Sequence, residues 1–339
     1  MKSIYNYIFE ELKDLLKSKG YPVYLSKQIF DWLYKKRVED FEEMTNISKD
    51  IRRFLRDNFC FSELELINRQ KSKDKTEKFL FKLEDESLIE AVLIPEGKRN
   101  SLCLSTQVGC KFNCKFCESG KKGFKRDLKI SEIISQYIKV SNTIKPKRIT
   151  NIVFMGIGEP LDNFDNVLGA INILTKKEAI GLGRRKITIS TCGLLPQIKK
   201  LADLKLGIKL AISLHSASDK MREKLMPINK KYPLTELKSA LKYYSDRDNY
   251  PISFEYVLLG KTNTSLSDAE SLAKFLGGIK AKVNLIPYNG CDSRYTIAEK
   301  EKIDIFCQIL KKRGIFFTVR KGRGQDIEAA CGQLRAKYL

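Results

Sequence analysis

Histidine is nearly absent from this 339-residue chain, with His215 its one representative. A metal site built on paired imidazoles is thereby excluded, as is a hydrolytic triad placed away from that position. Long apolar runs are also missing, and no stretch approaches the length of a membrane span. Behind Met1-Lys2-Ser3-Ile4-Tyr5 come acidic residues where a secretory leader needs an apolar core, so the expectation is an unexported, cytoplasmic chain with free thiols. Phosphate loops are wanting too. Gly260-Lys261-Thr262 has the end of one, but Glu255 stands at the place of the first glycine. Gly156-Ile157-Gly158-Glu159 does not continue into a dinucleotide fingerprint, because Leu161 occupies the last glycine position. Acidic residues are outnumbered 41 to 63, a net charge of +22 spread along the whole chain. Such a surface favours nucleic acid, although the lysine bias of an AT-rich genome produces the same excess.

Cysteine is what the chain does have, nine in all. Cys110, Cys114 and Cys117 form a C-x-x-x-C-x-x-C pattern in Val108-Gly109-Cys110-Lys111-Phe112-Asn113-Cys114-Lys115-Phe116-Cys117. Three thiolates can hold an iron–sulfur cube and leave one iron open to a substrate or cofactor, whereas four would close it for electron transfer. An open iron of this kind is where S-adenosylmethionine binds in radical enzymes. The alternative is a zinc site, for which nothing nearby supplies the missing ligand.

The hydropathy pattern divides the chain into a helical module over residues 1–60, a linker and β-hairpin over 61–98, a core over 99–325 and a tail over 326–339. In the first module Ile4, Tyr7, Ile8, Leu12, Leu15 and Leu16 share one helix face that Gly20 ends, and Ser26 is a candidate N-cap for a second helix carrying Ile29, Trp32 and Leu33. Lys35, Lys36, Arg37, Arg52 and Arg53 read equally as a solvated basic face or an RNA-docking one. Lys78 to Leu83 and Ile89 to Ile94, around Glu84-Asp85-Glu86-Ser87, predict the hairpin. In the core, strands are expected at 102–106, 149–155, 186–191, 209–214, 252–259 and 282–288, each followed by a helical pattern, with a last short strand at 316–320. Six β–α units predict an α/β fold with a parallel sheet. The candidate functional groups all lie just after strands, which favours an open partial (β/α)6 barrel over a flat doubly wound sheet.

Further motifs then combine: Met155-Gly156-Ile157-Gly158-Glu159-Pro160-Leu161, Ser213-Leu214-His215-Ser216, Leu225-Met226-Pro227-Ile228-Asn229, Asn284-Leu285-Ile286-Pro287-Tyr288-Asn289 and Ala329-Ala330-Cys331-Gly332-Gln333-Leu334. Together with the cysteine motif and Phe41-Glu42-Glu43-Met44-Thr45-Asn46, they make nearly the whole chain resemble the radical-SAM adenine methyltransferases of RNA, the RlmN type. The resemblance implies a radical-SAM barrel holding one [4Fe–4S] cluster on Cys110, Cys114 and Cys117, with S-adenosylmethionine on the open iron. It assigns Gly158, Glu159, Ser190, Ser213, Leu214, His215 and Asn289 to cofactor contacts, Glu159 accepting from the methionine ammonium while the bare Gly158 backbone lets that moiety approach.

Adenine carbon 2 lies between two ring nitrogens and is electron-poor, so direct displacement by a sulfonium methyl should fail there. In the family the cysteine matching Cys331 first takes a methyl group, and a second S-adenosylmethionine is cleaved to a 5′-deoxyadenosyl radical that removes hydrogen from it. The methylene adds to the base. The resulting crosslink is resolved when the cysteine matching Cys103 helps remove the ring proton and forms a transient disulfide with Cys331. Glu90 matches a carboxylate proposed as proton acceptor, and it could also be the solvent-facing member of its strand. Cys60, Cys192, Cys291 and Cys307 carry no motif. Glu118, Cys192 and Gln325 depart from the family pattern. The implied substrates are 23S rRNA at the peptidyl transferase centre and tRNA beside the anticodon; an electron donor such as flavodoxin or ferredoxin, no membrane, and a monomer complete the expectation. Rivals are an adenine carbon 8 methyltransferase, against which Pro160 leans, a zinc-containing RNA-binding protein, and a radical enzyme that activates another protein.

Overall fold

The computed structural model describes residues 1–61, 64–290, 293–334 and 336, so that Cys291 lies outside the described residues. Seven parallel strands form the core: Arg99–Cys103, Asn151–Phe154, Ile187–Thr191, Lys209–Ser213, Ile252–Gly260, Ala281–Pro287 and Phe317–Val319. Six match the expected strands, and the short segment expected near 316–320 pairs parallel as the seventh, Val283 lying opposite Phe317. Their spatial order follows their order in sequence without reversal. A doubly wound sheet needs a reversal to place helices on both faces, whereas right-handed crossovers in unbroken order keep them all on one side and curl the sheet. The two ends, Phe317–Val319 and Glu65–Lys71, are not paired to each other, so the sheet stays open.

Burial of most of their residues explains why the longer of these strands were legible. Every residue of Ile252–Gly260 is buried, as expected of a strand covered on both faces. Helices such as Ile130–Thr143, Phe164–Thr175 and Leu234–Ser245 press Ile133, Ile134, Ile171, Leu174, Leu237 and Leu241 onto the sheet, all at 4% exposure or less. Burial of such side chains contributes roughly 1.5–3 kcal/mol each.

Two expectations need correction. The hairpin is part of a three-stranded antiparallel unit, Glu65–Lys71, Glu77–Lys82 and Leu88–Glu96, and it continues the core sheet because Leu88–Glu96 pairs with Arg99–Cys103. Glu65–Lys71 is mostly exposed and polar, which left it without an apolar signal. At the N-terminus, Ile4–Asn6 is a single 3-10 turn, Lys2–Ser3 pairs with Phe59–Cys60, and the first α-helix is Phe9–Ser18. Gly20 does end that helix, at φ +77°. Ser26 is not a cap. It lies inside Tyr24–Phe30, where its hydroxyl donates to the Val23 carbonyl at 2.6 Å.

The N-terminal module packs on the core through an unbroken apolar cluster. Arg37 donates to Asn142 Oδ1 at 3.0 Å, and Lys176 pairs with Glu10 at 2.9 Å. Several of its basic residues have acidic partners of the same module, Arg52 with Glu42 and, at the surface, Lys35 with Asp31. No helix among the described residues is long and apolar enough to cross a membrane.

Candidate active site

The C-terminal ends of the parallel strands meet at a cavity of roughly 160 Å³. Cys110, Cys114, Cys117, Gly158, Glu159, Ser190, Ser213, His215, Asn289 and Cys331 all line it, drawn from sequence positions more than two hundred residues apart. Leu214 does not. Its side chain is buried in the core, and its carbonyl accepts from Arg222 Nε at 3.3 Å.

A two-stranded antiparallel ribbon, Gln107–Gly109 with Phe124–Asp127, carries the cysteine loop. Cys110 N–H donates to the Gly123 carbonyl at 2.9 Å, and Lys115 N–H to the Leu225 carbonyl at 2.9 Å, which tethers the loop at both ends. Among the described residues no three His, Cys, Asp or Glu side chains close on a single metal ion; the three thiols instead share the cavity wall. Burial pushes the Cys110 thiol up to about 12. Cys114 is likewise raised well above its ordinary value, first by burial and then by Cys117 and Cys110. Thiols raised in this way are costly to ionise alone, and cationic iron supplies the charge that would let the three ionise together. The donor set therefore fits a [4Fe–4S] cluster.

Glu159 is buried, and burial raises its pKa. Its two oxygens accept N–H groups from Leu161 at 3.0 Å and Cys192 at 2.8 Å. This fixes the carboxylate at the rim with lone-pair capacity remaining toward the cavity. Gly158 is glycine for a reason other than ligand approach. It holds φ +102°, and a Cβ there would stand 2.5 Å from Gln107 Cβ. At Gly156 a Cβ would meet the Leu104 carbonyl carbon and oxygen at 2.7 Å, backbone that cannot rotate away. Gly156→Ala is accordingly expected to destabilise the fold by about 3 kcal/mol through overpacking, read as a lower urea midpoint with an unchanged slope.

His215 sits at φ +57°, and its Nδ1 accepts from Val257 N–H at 3.0 Å. Burial, with the Arg222 charge second, lowers its pKa to about 3. The ring is therefore neutral with its proton on Nε2, a donor rather than an acid. Arg222 itself is fully buried and was missed in the sequence. It donates to Cys192 O at 2.7 Å and Asn229 Oδ1 at 2.9 Å, and its charge favours thiolate at Cys114. Between Lys220 and Lys224 it reads as one more surface cation, so the sequence carries no signal for it. Glu255 was also missed as a site residue, though an acid in the all-apolar run Ile252–Gly260 is such a signal.

Cys331 stands at the tip of a turn closed by Gln333 N–H to Ala330 O at 3.0 Å, with Gly332 at φ +83°. The tail is held on both sides of it. Glu118 N–H donates to Gly332 O at 2.7 Å, Ser119 Oγ to Leu334 O at 2.8 Å, and Ser72 Oγ to Asp326 at 2.6 Å. Gln325, one of the departures from the family pattern, donates its amide to Asn289 Oδ1, a bond that an acid could not donate. Cys103 is buried beside Ala329 and Leu334 of the tail, with burial and then Cys331 raising its thiol to about 12. Glu90 is not solvent-facing. It is buried outside the cavity, paired with Lys78 at 3.3 Å and accepting from Ala336 N–H at 3.0 Å.

Residues 104–276 match the model of the radical SAM superfamily, and residues 3–61 that of the ribosomal RNA large subunit methyltransferase N-terminal domain. The chain is 45% identical to a probable dual-specificity RNA methyltransferase RlmN of Bacillus thuringiensis (strain Al Hakam), over 99% of this chain and 93% of that one. An equally named protein of Bacillus cereus (strain AH187) gives the same figures. The crystal structure of a radical SAM methyltransferase from Sphaerobacter thermophilus superposes with a TM-score of 0.95 at 38% identity, covering 99% of this chain and all of that one. Similarity to these relatives over almost the whole chain, with both family models matched, shows that the chain whose cysteine loop, carboxylate rim and thiol-bearing tail are described above belongs to the RlmN family of radical SAM RNA methyltransferases.

Proposed function

We propose that this enzyme methylates carbon 2 of adenine in 23S rRNA and in tRNA, through a methyl group carried on Cys331 and a transient disulfide between Cys331 and Cys103. The observation that carries the reading is the meeting of these two thiols. They come from the first parallel strand and the tail, and Cys103 packs in one apolar cluster with Ala329 and Leu334, which flank the turn that carries Cys331. One [4Fe–4S] cluster per chain on Cys110, Cys114 and Cys117, with S-adenosylmethionine on its open iron and electrons from a flavodoxin or ferredoxin, would supply the methyl group and the hydrogen-abstracting radical.

The chain's own residues then have distinct tasks. Glu159, Ser190, Ser213, His215 and Asn289 orient the cofactor from the rim, Glu159 as acceptor and His215 Nε2–H as donor. Gly158 shapes the turn that presents Glu159, and Leu214 acts through its backbone. Cys331 presents its sulfur at a tethered turn, which limits how far the carried carbon can wander from the base. Once the adduct has lost the ring proton, and its unpaired electron to the redox couple that supplied it, the Cys103 thiolate attacks the Cys331 sulfur; the S–C bonding pair stays with carbon, which takes a proton to become the methyl. Glu90, beneath the tail and paired with Lys78, serves as proton acceptor. The basic N-terminal residues 1–60 dock RNA, residues 61–98 connect them to the catalytic core over 99–325, and 326–339 is the tail carrying Cys331, all in a cytoplasmic monomer.

Nucleoside mass spectrometry of rRNA and tRNA from a strain lacking the gene tests the reading. The expected result is loss of 2-methyladenosine from both. Loss of 8-methyladenosine instead would assign the carbon 8 chemistry, and unchanged nucleosides would overturn the proposed substrates.

A further inference from the structure

Arg320 has no task in the mechanism above. It follows the last parallel strand, where its N–H donates to the Leu285 carbonyl at 2.8 Å. Its guanidinium lines the cavity, with Nη1 4.0 Å from Cys331 Sγ and 3.8 Å from Glu255 Oε2. Glu255 is buried at the centre of its strand, and its other oxygen accepts from Asn284 Nδ2 at 2.7 Å. Asn284 in turn accepts from Thr318 Oγ1 at 2.8 Å. Three adjacent strands thus hold one carboxylate in place, and Arg320 is the cation beside it. The same guanidinium nitrogen thus faces both the carboxylate and the sulfur, so what Arg320 offers Cys331 is a fixed positive charge.

We propose that Arg320 prepares Cys331 to accept its methyl group by stabilising the sulfur as thiolate, with Glu255 and Asn284 acting through Arg320 as positioning residues. The inference rests on the reading of Cys331 as methyl carrier. Sulfur attacks carbon as the anion, so the Sγ–H proton must first leave to solvent. The sulfur lone pair then forms the S–CH3 bond, while the bonding pair of the donor's sulfonium stays with the donor sulfur. One negative and one positive charge cancel, leaving two thioethers. Among the described residues, the groups facing Cys331 are Arg320, just after the last strand, Glu255 from Ile252–Gly260 and Cys103 from Arg99–Cys103. Burial and Glu255 push the Cys331 thiol up, and Arg320 opposes them.

The test uses enzyme reconstituted anaerobically with its cluster, after peptide mass analysis has verified that Cys331 is unmethylated. Pulses of iodoacetamide from neutral to alkaline pH, read peptide by peptide, give the pH profile of Cys331, with Cys60 in the distant N-terminal module as internal control. In Arg320→Gln the Cys331 profile should move to higher pH and alkylation near neutrality should fall about tenfold, the change in thiolate that one pKa unit produces. Cys60 should not move. Arg320→Lys, which keeps the charge, should retain the wild-type profile and serves alone if the glutamine variant does not hold its cluster. An unmoved Cys331 profile in Arg320→Gln, or a shifted one in Arg320→Lys, overturns the proposal. Parallel incubation with S-adenosylmethionine separates the two readings. Absence of a one-methyl mass gain on wild-type Cys331 sinks the carrier role, whereas equal gain in wild type and Arg320→Gln sinks only the role of Arg320.

Discussion

Cys331→Ala forms no RNA-linked species, and Cys103→Ala accumulates enzyme covalently joined to RNA. The contrast follows from where the two thiols sit. Cys331 is at the tip of a tethered turn over the cavity, the place for the carbon that adds to the base. Cys103 is buried in a strand beneath the tail, where it can reach the Cys331 sulfur after addition but has no access of its own to the solvent side. Without Cys331 no carbon is delivered. Without Cys103 addition proceeds, but the thioether lacks the thiol that would release it. Denaturing gels after incubation with RNA, reductant and S-adenosylmethionine read the crosslink as a shifted band, expected in Cys103→Ala and missing in Cys331→Ala. The Cys103→Ala protein must first carry its methyl on Cys331, which peptide mass analysis checks. Free turnover by that methylated variant without any crosslink would show that Cys103 has no resolving role.

Alanine at Cys110, Cys114 or Cys117 is expected to abolish the iron–sulfur chromophore and reduce S-adenosylmethionine cleavage to background. Two thiolates do not hold the cube, and the raised pKa of Cys110 and Cys114 disfavours their ionisation without iron. Iron and sulfide content after reconstitution measures the first loss, and chromatography of the cleavage products the second. Full iron content with normal cleavage in any one of the three variants would contradict the cluster assignment. Far-UV circular dichroism should be unchanged, because the cysteine ribbon is held by its own backbone pairing and by contacts to Gly123 and Leu225.

Much of this was readable from the chain itself, for reasons that are local. The cluster ligands lie within one short loop, so their spacing is written in consecutive residues. Most of the parallel strands announce themselves as apolar runs because both faces are covered, and the hairpin through alternation around a turn. Glycines 156 and 158 were legible as special positions, but the reason was not. The atoms that forbid a side chain there belong to Leu104 and Gln107, some fifty residues earlier on the neighbouring segment. Glu90 shows the same limit, since alternation permits a solvent face and only the return of the tail over the sheet buries it beside Lys78.

By itself the sequence determined the chemistry on offer, namely three thiolates for a cluster, two lone cysteines, a near absence of histidine and an excess of positive charge. Tertiary structure alone decided which charges serve that chemistry. Arg222 and Arg320 look like any of the 63 basic residues until folding strips water from one and sets the other between Glu255 and Cys331. A charge acquires a specific role where solvent no longer screens it, and burial arises from contacts between segments distant in the chain, which no local pattern of residues encodes.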